Sequence, residues 1–175
     1  MVTCDYMHTV DLGTLLHQLG ETFWSILPHM AAQSSVRKGS PRQRRLSVLK
    51  TKLKAFYKDN KTTSKLSLNE MTLRYLKGKR PIKLRAKAGQ ARALVDFAVR
   101  LARDYSELDG EMGQHRFEAM QNFQVIHDLS AQDSPSEEDL MLWRRKAVEH
   151  MFHYACTGFH AAPKFHLLQL SLIHI

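Results

Sequence analysis

The chain has 175 residues and a formal net charge of +9, from 26 Lys and Arg against 17 Asp and Glu. Hydrophobic residues make up 43% of it and charged residues 25%, which excludes disorder throughout. Only 8 Gly and 5 Pro exclude collagen-like or low-complexity sequence. Cys4 and Cys156 are too few for a disulfide framework, so a reducing compartment is expected. No apolar run approaches the ~20 residues of a membrane helix, and the opening residues do not read as a signal peptide. The expectation is a soluble intracellular protein, or a piece of one, with one domain or part of a larger one.

Taken in chain order, apolar spacing reads helix almost throughout. Leu12, Leu15, Leu16, Leu19, Phe23 and Ile26/Leu27 recur every three or four residues and describe one apolar face. Thr9 or Asp11 suits the start of this helix and Pro28 its end. Residues 1–27 form the first unit, and the small polar residues 28–40 form a linker. Ser40-Pro41 is a cap with proline at the first helical position, where no amide hydrogen is needed. Leu46, Leu49, Leu53, Phe56 and Tyr57 then make a stripe within a basic helical segment, 41–92. Ser67-x-x-Glu70 reads as a capping box, with Leu66 and Met71 as its staple and Gly78 as the end of a short helix.

A further helical segment spans 93–170. Residues 86–105 are rich in Ala, Leu and Arg, with Leu94, Ala98, Leu101 and Tyr105 on one side. Gly110 and Gly113 punctuate the next join, and Phe117, Met120, Phe123 or Gln124, and His127 mark a less regular helix. Ser134-Pro135 reads as cap and first position of the next helix, with Glu137, Glu138 and Asp139 in its first turn. That helix runs through Leu140, Trp143, Ala147, His150, Met151 and Tyr154 to Gly158. Residues 171–175 continue no pattern and read as a non-native or unstructured tail. No alternation of period two persists, so the fold is expected to be mainly α, a helical bundle-like fragment. Leu16, Leu19, Phe23, Leu49, Leu53, Leu101 and Trp143 are its expected core.

Charge is unevenly spread. Residues 37–92 hold 19 Lys and Arg against two acids, Asp59 and Glu70, a net +17, while the rest of the chain is net −8. A block so one-sided repels itself unless something anionic lies against it. DNA, or RNA, is the partner this favours, since neutralising phosphates releases counterions whatever the base sequence. An acidic protein, or a solvated surface with no partner, is the alternative. The cations singled out are Arg37, Lys38, Arg42, Arg44, Arg45, Lys50, Lys52, Lys54, Lys79, Arg80, Lys83, Arg85 and Lys87. Phe56, Tyr57 and Tyr75 lie in this field and either stack on bases or serve the core.

Three further sites invite chemistry. Asp5 and His8 stand within one turn of each other, so the carboxylate either binds a divalent ion with the imidazole beside it or caps a turn. His150-x-x-His153-x-x-Cys156-x-x-x-His160 offers zinc-ligand types on one side of a helix. One straight helix cannot close four ligands around an ion, Gly158 should end it before His160, and His150 lies on the packed stripe. Neither cysteine has the setting of a nucleophile, so both read as structural.

Asp5, Met7, His8 and Gly13 form a D-x-M-H block followed by an apolar residue and a glycine. This resembles the block of CACTA-type and related eukaryotic DDE transposases, where it lies in the RNase H-like catalytic core ahead of a helix. Pro163-Lys164-Phe165-His166-Leu167-Leu168 is similar to the P-K-x-H-x-L segment that follows the helical insertion of such proteins. The residues between match only in being helical and basic, as insertion domains are. The resemblance implies a mobile-element origin, a nuclear location and two-metal phosphoryl transfer with Mg²⁺ or Mn²⁺ in an intact parent. Asp5 and His8 would then be catalytic residues and Asp5 a metal ligand. The strands and first catalytic aspartate of such a core would precede Met1, and no Asp or Glu follows Glu149. The chain therefore reads as a fragment that binds no metal and catalyses nothing alone. The other reading is a non-catalytic helical module that binds nucleic acid.

Overall fold

The computed structural model describes residues 13–30, 39–69, 71–72 and 82–159. These residues form helices joined by turns, with no β-strand among them. In order they are α1 (Leu16–Ile26), α2 (Pro41–Asp59), α3 (Ala88–Arg92), α4 (Val95–Asp104), α5 (Gly110–Ser130) and α6 (Glu137–Cys156). Short 3₁₀ turns, Leu27–His29 and Glu107–Asp109, follow α1 and precede α5. The mainly helical expectation therefore holds. No helix among the described residues is long and apolar enough to cross a membrane.

Local chemistry sets the helix ends. Ser40 Oγ accepts from the Gln43 amide, and the Gln43 side chain accepts in return from the Ser40 amide, with Pro41 at the first helical position. The start of α6 corrects the expectation. Ser136, not Ser134, is the cap, and its hydroxyl takes the Asp139 amide while Asp139 takes the Ser136 amide. Pro135 thus lies before the helix rather than in it. The Ser136 hydroxyl, and then its amide, donate to the Asp139 carboxylate and hold it below the usual carboxylate range. Gly158 has a positive φ of 68° where the chain leaves α6.

Two other expectations change. Residues 86–105 are not one helix: α3 ends in a tight turn at Ala93 and Leu94, where the Leu94 amide reaches Ala91 O. The break turns both Ala91 and Leu94 into the core. Gly110, with a positive φ of 55°, marks the join between the 3₁₀ turn and α5 as expected, whereas Gly113 does not separate elements and lies inside the first turn of α5. A Cβ on Gly113 would collide with the Ser106 carbonyl oxygen, so glycine there lets the preceding turn press against the helix. Only one turn, Met71 N to Ser67 O, of the short helix expected after Ser67 falls within the described residues.

Helices α5 and α6 pack along their lengths as an antiparallel hairpin, and α4 lies on α5 and α1 on α4. An aromatic chain ties in α2: Phe23 of α1 meets Phe97 of α4 at 5.8 Å between ring centroids, and Phe97 meets Phe56 of α2 at 5.4 Å. All seven residues expected in the core are buried. Their 3.6-residue spacing forces one stripe of each helix inward, where burial removes apolar surface from water. Helix α1 is buried on its polar side as well, at Gln18, Glu21 and Thr22. Burial, with the neighbouring Glu21 charge adding to it, pushes the Tyr154 hydroxyl of α6 strongly up.

Candidate nucleic-acid interface

Helix α2 carries its cations around an apolar stripe. Leu46, Leu49, Leu53 and Phe56 are buried, whereas Lys54 and Lys58 stand exposed on the opposite side. Arg44, Arg45 and Lys50 are half-buried, and the Arg44 Nε is buried without a hydrogen-bond partner among the described residues. Arg42 is exposed and lays its guanidinium over the Trp24 ring, 5.2 Å from the centroid. Lys52 is partly neutralised, with Nζ 3.5 Å from Asp104 and 5.6 Å from the Tyr105 ring.

Residues 82–87 bring the next cations. The Leu84 amide donates to Leu16 O at 2.8 Å, and His17 Nδ1 donates to Ile82 O at 3.1 Å, so this segment lies across α1. Gly20 makes the crossing possible, because a Cβ there would meet the Leu84 nitrogen at 2.7 Å. Burial holds His17 below the usual histidine range against the opposing Ile82 bond, and the Lys83 charge adds to the lowering. Arg85 and Lys87 are exposed and Lys83 is half-buried.

The structure adds two cations beyond the basic block. Arg100 and Arg103, both exposed on α4, lie over the rings of Phe56 and Phe117, each 5.3 Å from the centroid. Arg100 thereby joins the α2 surface across the α2–α4 seam. The signal in the sequence was their helical spacing past Arg92, hidden by Asp96 and Asp104, which end the block by simple charge count. Asp96 is engaged by the Gln124 side chain.

The described aromatics of this field, Phe56 and Tyr57, are not free platforms. Tyr57 is half-buried, accepts the Leu66 amide at 3.0 Å through its hydroxyl and carries Lys65 Nζ over its ring at 5.7 Å. Burial pushes that hydroxyl upward. Phe56 belongs to the core, as its helical spacing with the leucines predicts. Lys65 lies over the Tyr57 ring and Arg100 over the Phe56 ring, so these residues offer charge to a phosphate and little free ring face to a base.

Asp5 and His8, with Arg37, Lys38, Tyr75, Lys79 and Arg80, lie outside the described residues, as do His160 and the block from Pro163. The histidine series of α6 does not converge. His150 is wholly buried with Nδ1 donating to Ala119 O at 3.0 Å, and burial lowers it to about 4 against that bond. His153 faces α5 instead, where His115 meets it, and Cys156 is exposed. Sequence reasoning missed His115, since nothing local links residues 38 apart. No group of three or more His, Cys, Asp or Glu among the described residues is placed to hold a metal ion. No known protein family, no curated protein and no solved structure matches the chain.

Proposed function

We propose that this chain is a helical nucleic-acid-binding module that grips the phosphate backbone of DNA, or of RNA, through the cations on α2, α4 and residues 82–87. One observation carries the reading. Lys54, Lys58, Arg85, Lys87, Arg92, Arg100 and Arg103 are all exposed, and Lys52 is the one cation on α2 in an ion pair with a described acid. Contacts of this kind neutralise phosphates without reading bases, so binding is weak, indifferent to sequence and steeply dependent on salt. Duplex DNA at rising salt, followed by fluorescence anisotropy, tests it. Affinity that does not fall with salt contradicts it.

The D-x-M-H block supports a second, compatible reading, in which the module descends from a DDE transposase-like nuclear protein. In an intact parent Asp5 would help hold Mg²⁺ or Mn²⁺ for phosphoryl transfer, with His8 orienting the site. The resemblance assigns one carboxylate, Asp5, to such a site, and a lone carboxylate does not hold two ions about 4 Å apart, so no cleavage is expected of this chain alone. Metal-dependent strand cleavage by the purified chain, lost on Asp5→Ala, contradicts the fragment reading and makes it an enzyme in its own right.

A further inference from the structure

The imidazoles of His115 in α5 and His153 in α6 meet across the hairpin seam. Their Nδ1 atoms are 2.9 Å apart and their ring centroids 5.1 Å. Between two neutral rings such a contact uses one proton, so one Nδ1 donates and the other presents its lone pair. Glu111, one turn before His115, brings Oε1 within 3.9 Å of His115 Nε2. A carboxylate on that side favours the proton on Nε2 and leaves the Nδ1 lone pair of His115 aimed at His153. Both rings are only part-buried, so the seam is open to solvent. Phe152 stands edge-on to both imidazoles, with centroids 6.1 Å from His115 and 5.2 Å from His153, although it is 61% exposed. An aromatic left in water contributes little to the core, but here it walls one side of the histidine pair.

We propose that His115 and His153 form a two-histidine site for a divalent transition-metal ion, with Zn²⁺ as the ion to test. Neutral imidazole nitrogen is a favoured ligand for such ions. Two nitrogens bound at about 2.0–2.1 Å in a tetrahedral arrangement stand ~3.4 Å apart. The pair reaches that separation by opening about half an ångström as each ring turns in place. In the metal-free pair His153 Nδ1 is the donor. On binding, that proton leaves Nδ1 and one returns from solvent to Nε2 of the same ring, so both histidines stay neutral and each offers Nδ1. Water completes the coordination, since no third ligand among the described residues joins the pair. His150 is one turn away but is turned into the core. A bound ion ties α5 to α6 and stabilises the hairpin by mass action.

The test is calorimetric titration of the untagged, reduced 175-residue chain with Zn²⁺ alone, with thermal unfolding at increasing Zn²⁺ alongside. The expected result is one ion with a micromolar dissociation constant and an unfolding midpoint that rises with Zn²⁺. His115→Ala and His153→Ala each weaken that site at least about tenfold and abolish the rise, whereas Cys156→Ser changes neither. Glu111→Gln alters only an exposed side chain, so it keeps the fold and weakens binding by a few-fold, which keeps the test decisive should an alanine variant unfold. Absence of binding by the unaltered chain, equal binding by both folded histidine variants, or loss on Cys156→Ser would overturn the proposal.

Discussion

His150 in α6 donates from Nδ1 to the carbonyl oxygen of Ala119 in α5, 3.0 Å away, and water reaches none of the ring. This contact locks the hairpin with a neutral imidazole. Its folded-state value, lowered to about 4, lies below the ordinary 6.5, so between those limits the unfolded chain binds more protons than the folded one. Stability is therefore full above about pH 7, falls as pH drops through that window and levels off below it. A shift of this size is worth of order 3 kcal/mol at pH 4. His17, also lowered, acts in the same direction. Urea unfolding from pH 7 to 4 measures the slope, and a His150→Gln variant should flatten it. Equal slopes in both chains would refute the assignment.

Phe97 sits between Phe23 and Phe56 and so joins α1, α2 and α4 through one ring. Truncating it removes buried apolar surface and leaves a cavity at the meeting point of three helices. Phe97→Ala should cost about 3–5 kcal/mol in denaturant unfolding. Arg100→Ala, which removes only the cation above Phe56, should cost under about 1 kcal/mol.

Gly113→Ala reverses the usual rule. Alanine in a helix interior is normally better than glycine by about 1 kcal/mol. Here the added methyl would meet the Ser106 carbonyl oxygen, a backbone atom with no side-chain freedom to escape. The variant should lose about 1–3 kcal/mol, read as a lower thermal midpoint. A stabilised variant would mean that the turn ahead of α5 does not press on the helix.

These positions also show what the sequence makes legible. The buried leucines of α1 and α2 follow from spacing alone, because a 3.6-residue period admits one inward face. Ser40 was readable as a cap because proline beside it has one favourable place. Ser136 was misplaced by two residues, since Ser134-Pro135 offers the same local signal and only the Asp139 side chain decides between them. The break at Ala93 and Leu94 carries neither glycine nor proline, so nothing local announces it. Gly113 looked like punctuation because close approach by Ser106 is a tertiary fact. The burial of Gln18 and Thr22, and the meeting of His115 with His153, depend in the same way on helices distant in sequence. Charge was the most readable property, yet Arg100 and Arg103 joined the interface only through the fold.

The structure also refines how the interface should be tested. Lys52 is paired with Asp104, and Arg44, Arg45 and Lys50 are half-buried, so reversing those residues would confuse binding with folding. Lys54, Lys58, Arg100 and Arg103 are exposed and form no ion pair with a described acid. Arg144 and Arg145, exposed on α6, lie outside the proposed surface and provide a two-residue control for charge reversal elsewhere, Arg145 being 4.0 Å from Glu149.

The most direct test of nucleic-acid binding is therefore anisotropy with a labelled DNA duplex across a salt series. It compares the unaltered chain, the Lys54, Lys58, Arg100 and Arg103 to Glu variant, and the Arg144 and Arg145 to Glu control. The unaltered chain should lose affinity linearly on logarithmic axes, with a slope near −0.9 for each phosphate neutralised. The four-fold variant should lose binding by at least about tenfold and show a shallower slope, and the control should retain most of both. Equal affinity of the four-fold variant and the unaltered chain, with both folded, would contradict the central claim.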